Sequence, residues 1–171
     1  MQYDRSVIDE YGRPLDQSLP HRSGPKVCEK KYFFYTGNTV YGVQNLEYDA
    51  YTQTWLVAVY AGKKQSFDNF RMFFIDGKIP AAVSELTGRS GEKGAVLVSA
   101  YLGTQGKQEN ICGTMFEYGQ TGMVSMGDGT FYFSHHGQDK ENKLFYTNVK
   151  KHLLVRGSKN IFSIEEYPAL H

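Results

Sequence analysis

The nine residues TWLVAVYAG, 54–62, decide the fold class of this chain. The run is short, apolar and rich in branched and aromatic side chains, and it closes on a glycine, which favours a β-strand. Alternate side chains of a strand share a face. One face here carries Trp55, Val57, Val59 and Ala61, and the other carries Leu56, Ala58 and Tyr60. Both faces are apolar, so we expect this strand to be covered from both sides.

Further short β-like runs, separated by turn signals, occur along most of the chain. They cover 31–37, 42–49, 70–77, 94–103, 113–119, 122–129, 130–137 and 143–150. The stretch PAAVSELTG, 80–88, predicts one short helix, with Pro80 in its first turn and Gly88 past its end. GRSGEKG, 88–94, predicts a flexible hairpin-type loop. The tail from 161 predicts one more strand or a segment draped over the body. No long stretch has a helical period, so the predicted class is all-β with antiparallel sheets.

Length and composition fit one domain with a genuine core. The chain has 171 residues, of which 15% are aromatic, and a net charge of +1. Such a balanced charge gives no field to gather nucleic acid or an anionic membrane, so we expect neither as a partner. The predicted organisation is a polar N-terminal arm over 1–26, a repeat-built β-domain over 27–150, and a C-terminal tail over 151–171 that packs on the domain.

The two cysteines, Cys28 and Cys112, are too few for a disulfide framework, and we expect free thiols. The N-terminal stretch lacks the apolar core of a signal peptide. The location is therefore expected to be cytoplasmic if the chain is complete, and secreted if it is a piece of a longer protein. We expect no cofactor.

The two halves of the chain resemble each other at a spacing of about 80 residues, which indicates two repeats. The matched pairs are Cys28 with Cys112, Tyr35 with Tyr118, Gly42 with Gly122, and Gly62 with Gly137. The loop DAYTQT in the first half shortens to DGT in the second, a change that a surface turn tolerates.

The stretches at 42–62 and 122–137 resemble the strands of β-propeller blades. Each has a glycine-led strand, an Asp-bearing turn and an apolar strand that closes on glycine. The resemblance is to an architecture without a specific family, and it implies sheets packed face to face around a ring. The chain supplies too few strands for a full ring, so a partial propeller is predicted, and a β-sandwich is the alternative. Because an unclosed ring leaves an apolar face and an unpaired edge, we expect a symmetric homodimer.

The pair His135–His136, in the stretch DGTFYFSHHGQDKE at 128–141, is the most conspicuous polar feature. Adjacent strand residues point to opposite faces, so the two histidines cannot hold one metal together in a regular strand. We predict no metal site. A strand-end histidine that faces a cleft remains suited to a ligand hydroxyl or carboxylate.

Tyrosines and amide side chains crowd the region from 32 to 55. Aromatic faces with neighbouring amides suit the recognition of a sugar or a peptide, because rings stack and amides supply directional hydrogen bonds. The predicted function is therefore a non-catalytic module that binds a carbohydrate or peptide ligand, or a protein partner. The candidate ligand-binding residues are Tyr35, Asn38, Tyr41, Gln44, Asn45, His135 and His136. The alternative is a propeller-type hydrolase, a lactonase or phosphodiesterase, that uses one of the two histidines with Asp128 and a divalent metal.

Overall fold

The computed structural model describes residues 1–14, 16–18, 24–37, 41–60, 70–103, 111–158 and 160–164. In these ranges the chain forms one short helix and eleven strands: α1 Ser6–Tyr11, β1 Tyr32–Phe33, β2 Gly42–Asp49, β3 Thr54–Tyr60, β4 Met72–Asp76, β5 Ala82–Leu86, β6 Arg89–Val96, β7 Gly113–Thr114, β8 Met123–Ser125, β9 Thr130–Asp139, β10 Leu144–Leu154 and β11 Phe162–Ile164. None of the described residues belongs to a helix with the length and apolarity that a membrane crossing needs.

The chain divides into two compact units. The smaller unit joins Met1–Phe33 to Ala81–Val96 and contains α1 and a three-stranded sheet in the order β1-β6-β5. β5 and β6 form an antiparallel hairpin, and β1 runs parallel to β6.

The predicted helix over 80–88 is wrong, because the same residues form β5 and the turn after it. Thr87 and Gly88 make a tight turn that sets Leu86 opposite Arg89, and Gly88 adopts a φ of +80°, which suits glycine. The predicted loop over 88–94 is likewise part of β6. Proline before and glycine after a short run fit a helix or a strand equally well, and here antiparallel pairing with the next strand, β6, accounts for the strand.

The larger unit joins Phe34–Pro80 to Leu97–His171 and contains two four-stranded antiparallel sheets. The first sheet has the order β2-β3-β4-β7, and the second has the order β8-β9-β10-β11. Consecutive strands are neighbours in each sheet, β2 to β4 in the first and β8 to β11 in the second. Cys112 lies directly before β7, whereas Cys28 lies outside both sheets; both are free thiols.

A shared apolar core packs the two sheets face to face. Alternate side chains of β3, β4 and β9 enter one cluster, which includes Leu56, Ala58, Met72, Phe74, Phe131 and Phe133. The opposite faces of β3 and β4 enter a second cluster with Val57, Val59, Phe73, Ile75, Tyr41, Phe70 and Ile111. The prediction that the strand at 54–62 is covered on both sides is thus confirmed for the middle of β3, 56–59, whereas Trp55 and Tyr60 are exposed.

Neither sheet is closed, since each has two edge strands. The all-β, antiparallel class is confirmed, and the propeller ring stays a prediction. Between Val43 and Asn45 the register of β2 on β3 shifts by one residue, so Gln44 is the extra residue of a bulge.

Candidate functional site

The two adjacent histidines lie on opposite faces of β9. His135 is buried on the face that also carries Phe131 and Phe133, and His136 is exposed on the other face. On that outer face the hydroxyl of Thr121 lies 3.5 Å from Nδ1 of His136. The divergence that strand geometry predicts for this pair is confirmed.

Two other rings stack on His135. The ring of Tyr118 lies at 3.6 Å between centroids and 12° between planes, and the ring of His152 lies at 5.0 Å and 26°. β10 positions His152 opposite Phe131 on β9, and Nδ1 of His152 lies 3.1 Å from the carbonyl oxygen of Lys150. The ring of Phe116 packs edge-on against His152. The two imidazoles are therefore parts of an aromatic layer at the rim of the core.

Burial keeps both imidazoles uncharged at neutral pH. Desolvation is the largest cause that lowers the pKa of His135 from 6.5 to about 4, and electrostatic repulsion from the neighbouring basic groups His152, Lys150 and His136 contributes the rest. Desolvation also lowers the pKa of His152. Nε2 of His135 is buried and has no hydrogen-bond partner among the described residues. A neutral imidazole in this position serves as a flat apolar ring and is poorly suited to act as a general acid.

Asn45 and His135 both contact the segment 118–119. The side-chain amide of Asn45 donates a hydrogen bond to the carbonyl oxygen of Gly119 (3.1 Å), next to the Tyr118 ring that covers His135. The Oδ1 atom of Asn45 accepts the backbone N–H of Leu46 (3.0 Å). Both ends of this amide are therefore used inside the protein. Gln44, at the bulge beside it, is exposed.

The other candidate ligand-binding residues are not brought together. Tyr41 is buried in the second core cluster, with the guanidinium of Arg71 over its ring at 4.9 Å. Tyr35 is exposed, and Asn38 lies outside the described residues.

A pair of exposed rings, Tyr48 and Trp55, was not among the candidate residues. They are cross-strand partners in the β2–β3 hairpin, and their centroids are 5.0 Å apart at a tilt of 51°. Tyr48 is 40% exposed and Trp55 is 39% exposed. The sequence signal that identifies this pair is the DAYTQ turn, because a β-hairpin closed by this turn sets residues 48 and 55 opposite each other.

The polar groups of these two rings and a neighbouring glycine belong to the same exposed surface. Within the part of the chain that the structure describes, neither the indole N–H of Trp55 nor the hydroxyl of Tyr48 has a hydrogen-bond partner. Gly77 lies under the edge of the Tyr48 ring, where a Cβ would come within 3.0 Å of it. We call Tyr48, Trp55 and Gly77 the Tyr48–Trp55 surface.

The residues named for a hydrolytic site do not converge. Asp128 accepts the backbone N–H of Thr130 (2.8 Å) in the turn before β9. His135 lies further along that strand, about 16 Å from Thr130 at the usual rise per residue. Among the described residues no group of three or more His, Cys, Asp or Glu side chains is placed to hold a metal ion.

Comparisons with protein-family models, with curated proteins and with solved structures give no match for this chain.

Proposed function

We propose that this protein is a non-catalytic binding module of propeller-like β architecture, and that the Tyr48–Trp55 surface binds a carbohydrate or a peptide. The observation that carries the proposal is that two large rings, Tyr48 and Trp55, contact each other across the β2–β3 hairpin and are both about two-fifths exposed. Exposed tryptophan and tyrosine side chains offer apolar faces for stacking and polar tips for hydrogen bonds.

The surroundings of the two rings support a ligand longer than one ring. Val43 and Leu46 lie along the same face of β2 as Tyr48 and are more than half exposed. They extend an apolar strip from the aromatic pair along the edge strand. The strip is rimmed by the exposed amide of Gln44. A flat apolar strip with polar groups at its rim suits an oligosaccharide or an extended peptide.

The propeller-like part of the proposal is supported by the sheets. Propeller blades are four-stranded antiparallel sheets in which consecutive strands are neighbours. β8, β9, β10 and β11 have this order, and the second sheet packs face to face on the first through the shared core.

Trp55 is the only tryptophan of the chain, so its fluorescence reports directly on the proposed surface. The experiment titrates the protein with oligosaccharides of glucose and of N-acetylglucosamine, and with a pool of random peptides. We expect a saturable change in emission with one of these classes, and the responding class identifies the ligand.

Two variants separate this surface from the rest of the hairpin. Tyr48→Ala leaves the Trp55 reporter in place and is expected to weaken binding at least tenfold. Tyr60→Ala removes a tyrosine of similar exposure from the opposite face of β3, and it is expected to leave binding unchanged. No response at millimolar ligand, or an equal loss in both variants, would overturn the proposal.

A further inference from the structure

The β9–β10 hairpin is much longer than β8 and β11, the two strands that flank it in its sheet. β10 pairs with β9 along nearly its whole length, from Leu144 to Leu153, but it pairs with β11 only over His152–Leu154. Within the described residues, the far edge of β10 over 144–150 therefore has no strand beside it. This edge is exposed throughout, and it includes Phe145 at 82% and Val149 at 66% exposure. A long, apolar, unpaired edge is a template for strand addition.

The direction of the backbone groups on this edge follows from two hydrogen bonds. The N–H of Ser134 on β9 donates to the carbonyl of Gly122, on the β8 side, and the N–H of Leu154 on β10 donates to Gly129, on the β9 side. Peptide groups alternate in direction along a strand. The even-numbered residues of β10 thus bond to β9, and the odd-numbered residues Phe145, Thr147 and Val149 direct their N–H and C=O groups to the open edge.

We propose that this edge pairs with the same edge of a second copy, so that two β10 strands run antiparallel about a twofold axis at Thr147. In this register the odd-numbered residues form the hydrogen-bonded pairs, and Thr147 lies opposite its own copy. Phe145 of each copy lies opposite Val149 of the other, so the twofold axis creates this pair two times. Aromatic–branched and Thr–Thr pairs are favourable cross-strand neighbours.

Over 144–150 the charges agree with this register, and the like-charged pair that it creates, Lys151 opposite Lys143 of the other copy, lies just outside that stretch. Leu144 lies opposite Lys150 of the other copy, and Tyr146 lies opposite Asn148, so no two like charges meet over 144–150. A strand that is complementary to itself around one residue favours a second copy of the chain over an unrelated peptide. The far edge of β9 is less suitable, because its unpaired part is short and carries His136 and Gln138, with the Thr121 hydroxyl beside His136.

The test measures the molecular mass of the full chain by sedimentation velocity over a concentration series. We expect a dimer that dissociates on dilution. Thr147→Pro removes an N–H that faces the open edge and bonds to nothing in the described chain, and proline is tolerated at such edge positions. This variant is expected to be a monomer at the highest concentration, with an unchanged thermal midpoint. Asn148→Pro is the matched control: its N–H bonds to β9, so it is expected to lower the midpoint.

Two further readouts locate the interface. Thr147→Cys is expected to cross-link two copies under mild oxidation, because facing residues of a hydrogen-bonded pair are about 5.5 Å apart. Asn148→Cys, whose side chain lies on the other face, is expected to cross-link less. The amides of Phe145, Thr147 and Val149 are expected to exchange hydrogen more slowly as concentration rises.

Three outcomes would overturn the proposal. One is a wild-type monomer at all concentrations. Another is a dimer that persists in folded Thr147→Pro, which would place the interface elsewhere. The third is protection of these amides only when an extended peptide is added, which would make the occupant a peptide.

Discussion

The hydroxyl of Ser125 donates a hydrogen bond of 2.5 Å to the Oδ1 atom of Asp49, and this bond joins the edge strands of the two sheets. The other carboxylate oxygen of Asp49 accepts the N–H (2.9 Å) and the hydroxyl (2.5 Å) of Thr52. The N–H of Ser125 donates to Glu47 (2.8 Å). Asp49 is fully buried, so its charge depends on these donors for the stabilisation that water would otherwise give.

Asp49→Asn is expected to lower the free energy of unfolding by about 2–4 kcal/mol, because an amide N–H₂ would face hydrogen-bond donors in a buried place. Urea unfolding at neutral pH measures the loss.

The chain supplies a matched control for this variant. Asp139 begins a hairpin turn like that begun by Asp49: it accepts the backbone N–H of Asn142, as Asp49 accepts that of Thr52. The fourth residue after each aspartate, Gln53 or Lys143, has a positive φ of 55° or 56°. The Asp139 turn is exposed, so Asp139→Asn is expected to cost less than about 1 kcal/mol. Equal losses in the two variants would show that the sheet-to-sheet bond adds nothing to the turn.

The burial of His135 in the aromatic layer predicts that the free energy of unfolding decreases at acidic pH. Because the pKa of His135 is about 4 in the folded protein and 6.5 in a free histidine, the unfolded chain takes up this proton first. The contribution of His135 to the free energy of unfolding is therefore fully present above pH 6.5 and decreases as the pH falls toward 4. Below pH 4 this group causes no further decrease. The loss from His135 is at most about 3 kcal/mol, and His152, whose pKa is also lowered, acts in the same direction.

His135→Phe keeps a ring against Tyr118 and removes both the titration and the unpaired Nε2. We expect this variant to match or exceed wild-type stability at pH 7 and to gain on the wild type steadily down to pH 4.5. Urea unfolding at several pH values measures the difference. Phe74→Leu serves as the control: Phe74 is fully buried in the same core cluster as Phe133, and its packing loss is expected to be the same at each pH. A constant difference between His135→Phe and the wild type would contradict the role of His135.

How much of the fold and of the candidate site the sequence predicts depends on how far apart in the chain the interacting residues lie. Local pattern predicts β2 and β9 and the divergence of His135 from His136, because alternation along a strand is a property of neighbours. The stretch at 80–88 was misassigned because its state depends on pairing with β6. The Tyr48–Trp55 surface requires hairpin register, and the Asp49–Ser125 bond requires the packing of two sheets. Neither relationship is carried by residues adjacent in the chain.

Gly113 on β7 shows how closely the first sheet is packed. A Cβ at this position would collide with the carbonyl oxygen of Met72 and with the Phe70 ring at 2.6 Å. Gly113→Ala is expected to lower stability by about 2 kcal/mol or more, because a backbone atom cannot move aside as a side chain can. Thermal unfolding followed by circular dichroism measures the effect.

Gly42→Ala is the matched substitution in the same sheet. Its Cβ would meet only the flexible end of the Gln44 side chain, at 3.3 Å. The change is expected to be neutral or to raise stability by up to about 1 kcal/mol, since alanine restricts the unfolded chain more than glycine does. If both alanines were equally harmful, the collision at Gly113 would not be the cause.

The bulge at Gln44 makes the edge of β2 unlike the edge of β10. Asn45 turns its Oδ1 onto the outward N–H of Leu46 and its amide onto Gly119, so a donor that an incoming strand would need is already occupied. The β2 edge is therefore a poorer template for strand addition than the β10 edge. If two copies pair along β10 as proposed, the twofold axis covers both β10 edges in the same contact, so this contact cannot be repeated with a third copy. The proposed association would then end at a closed pair and would not grow into a fibre.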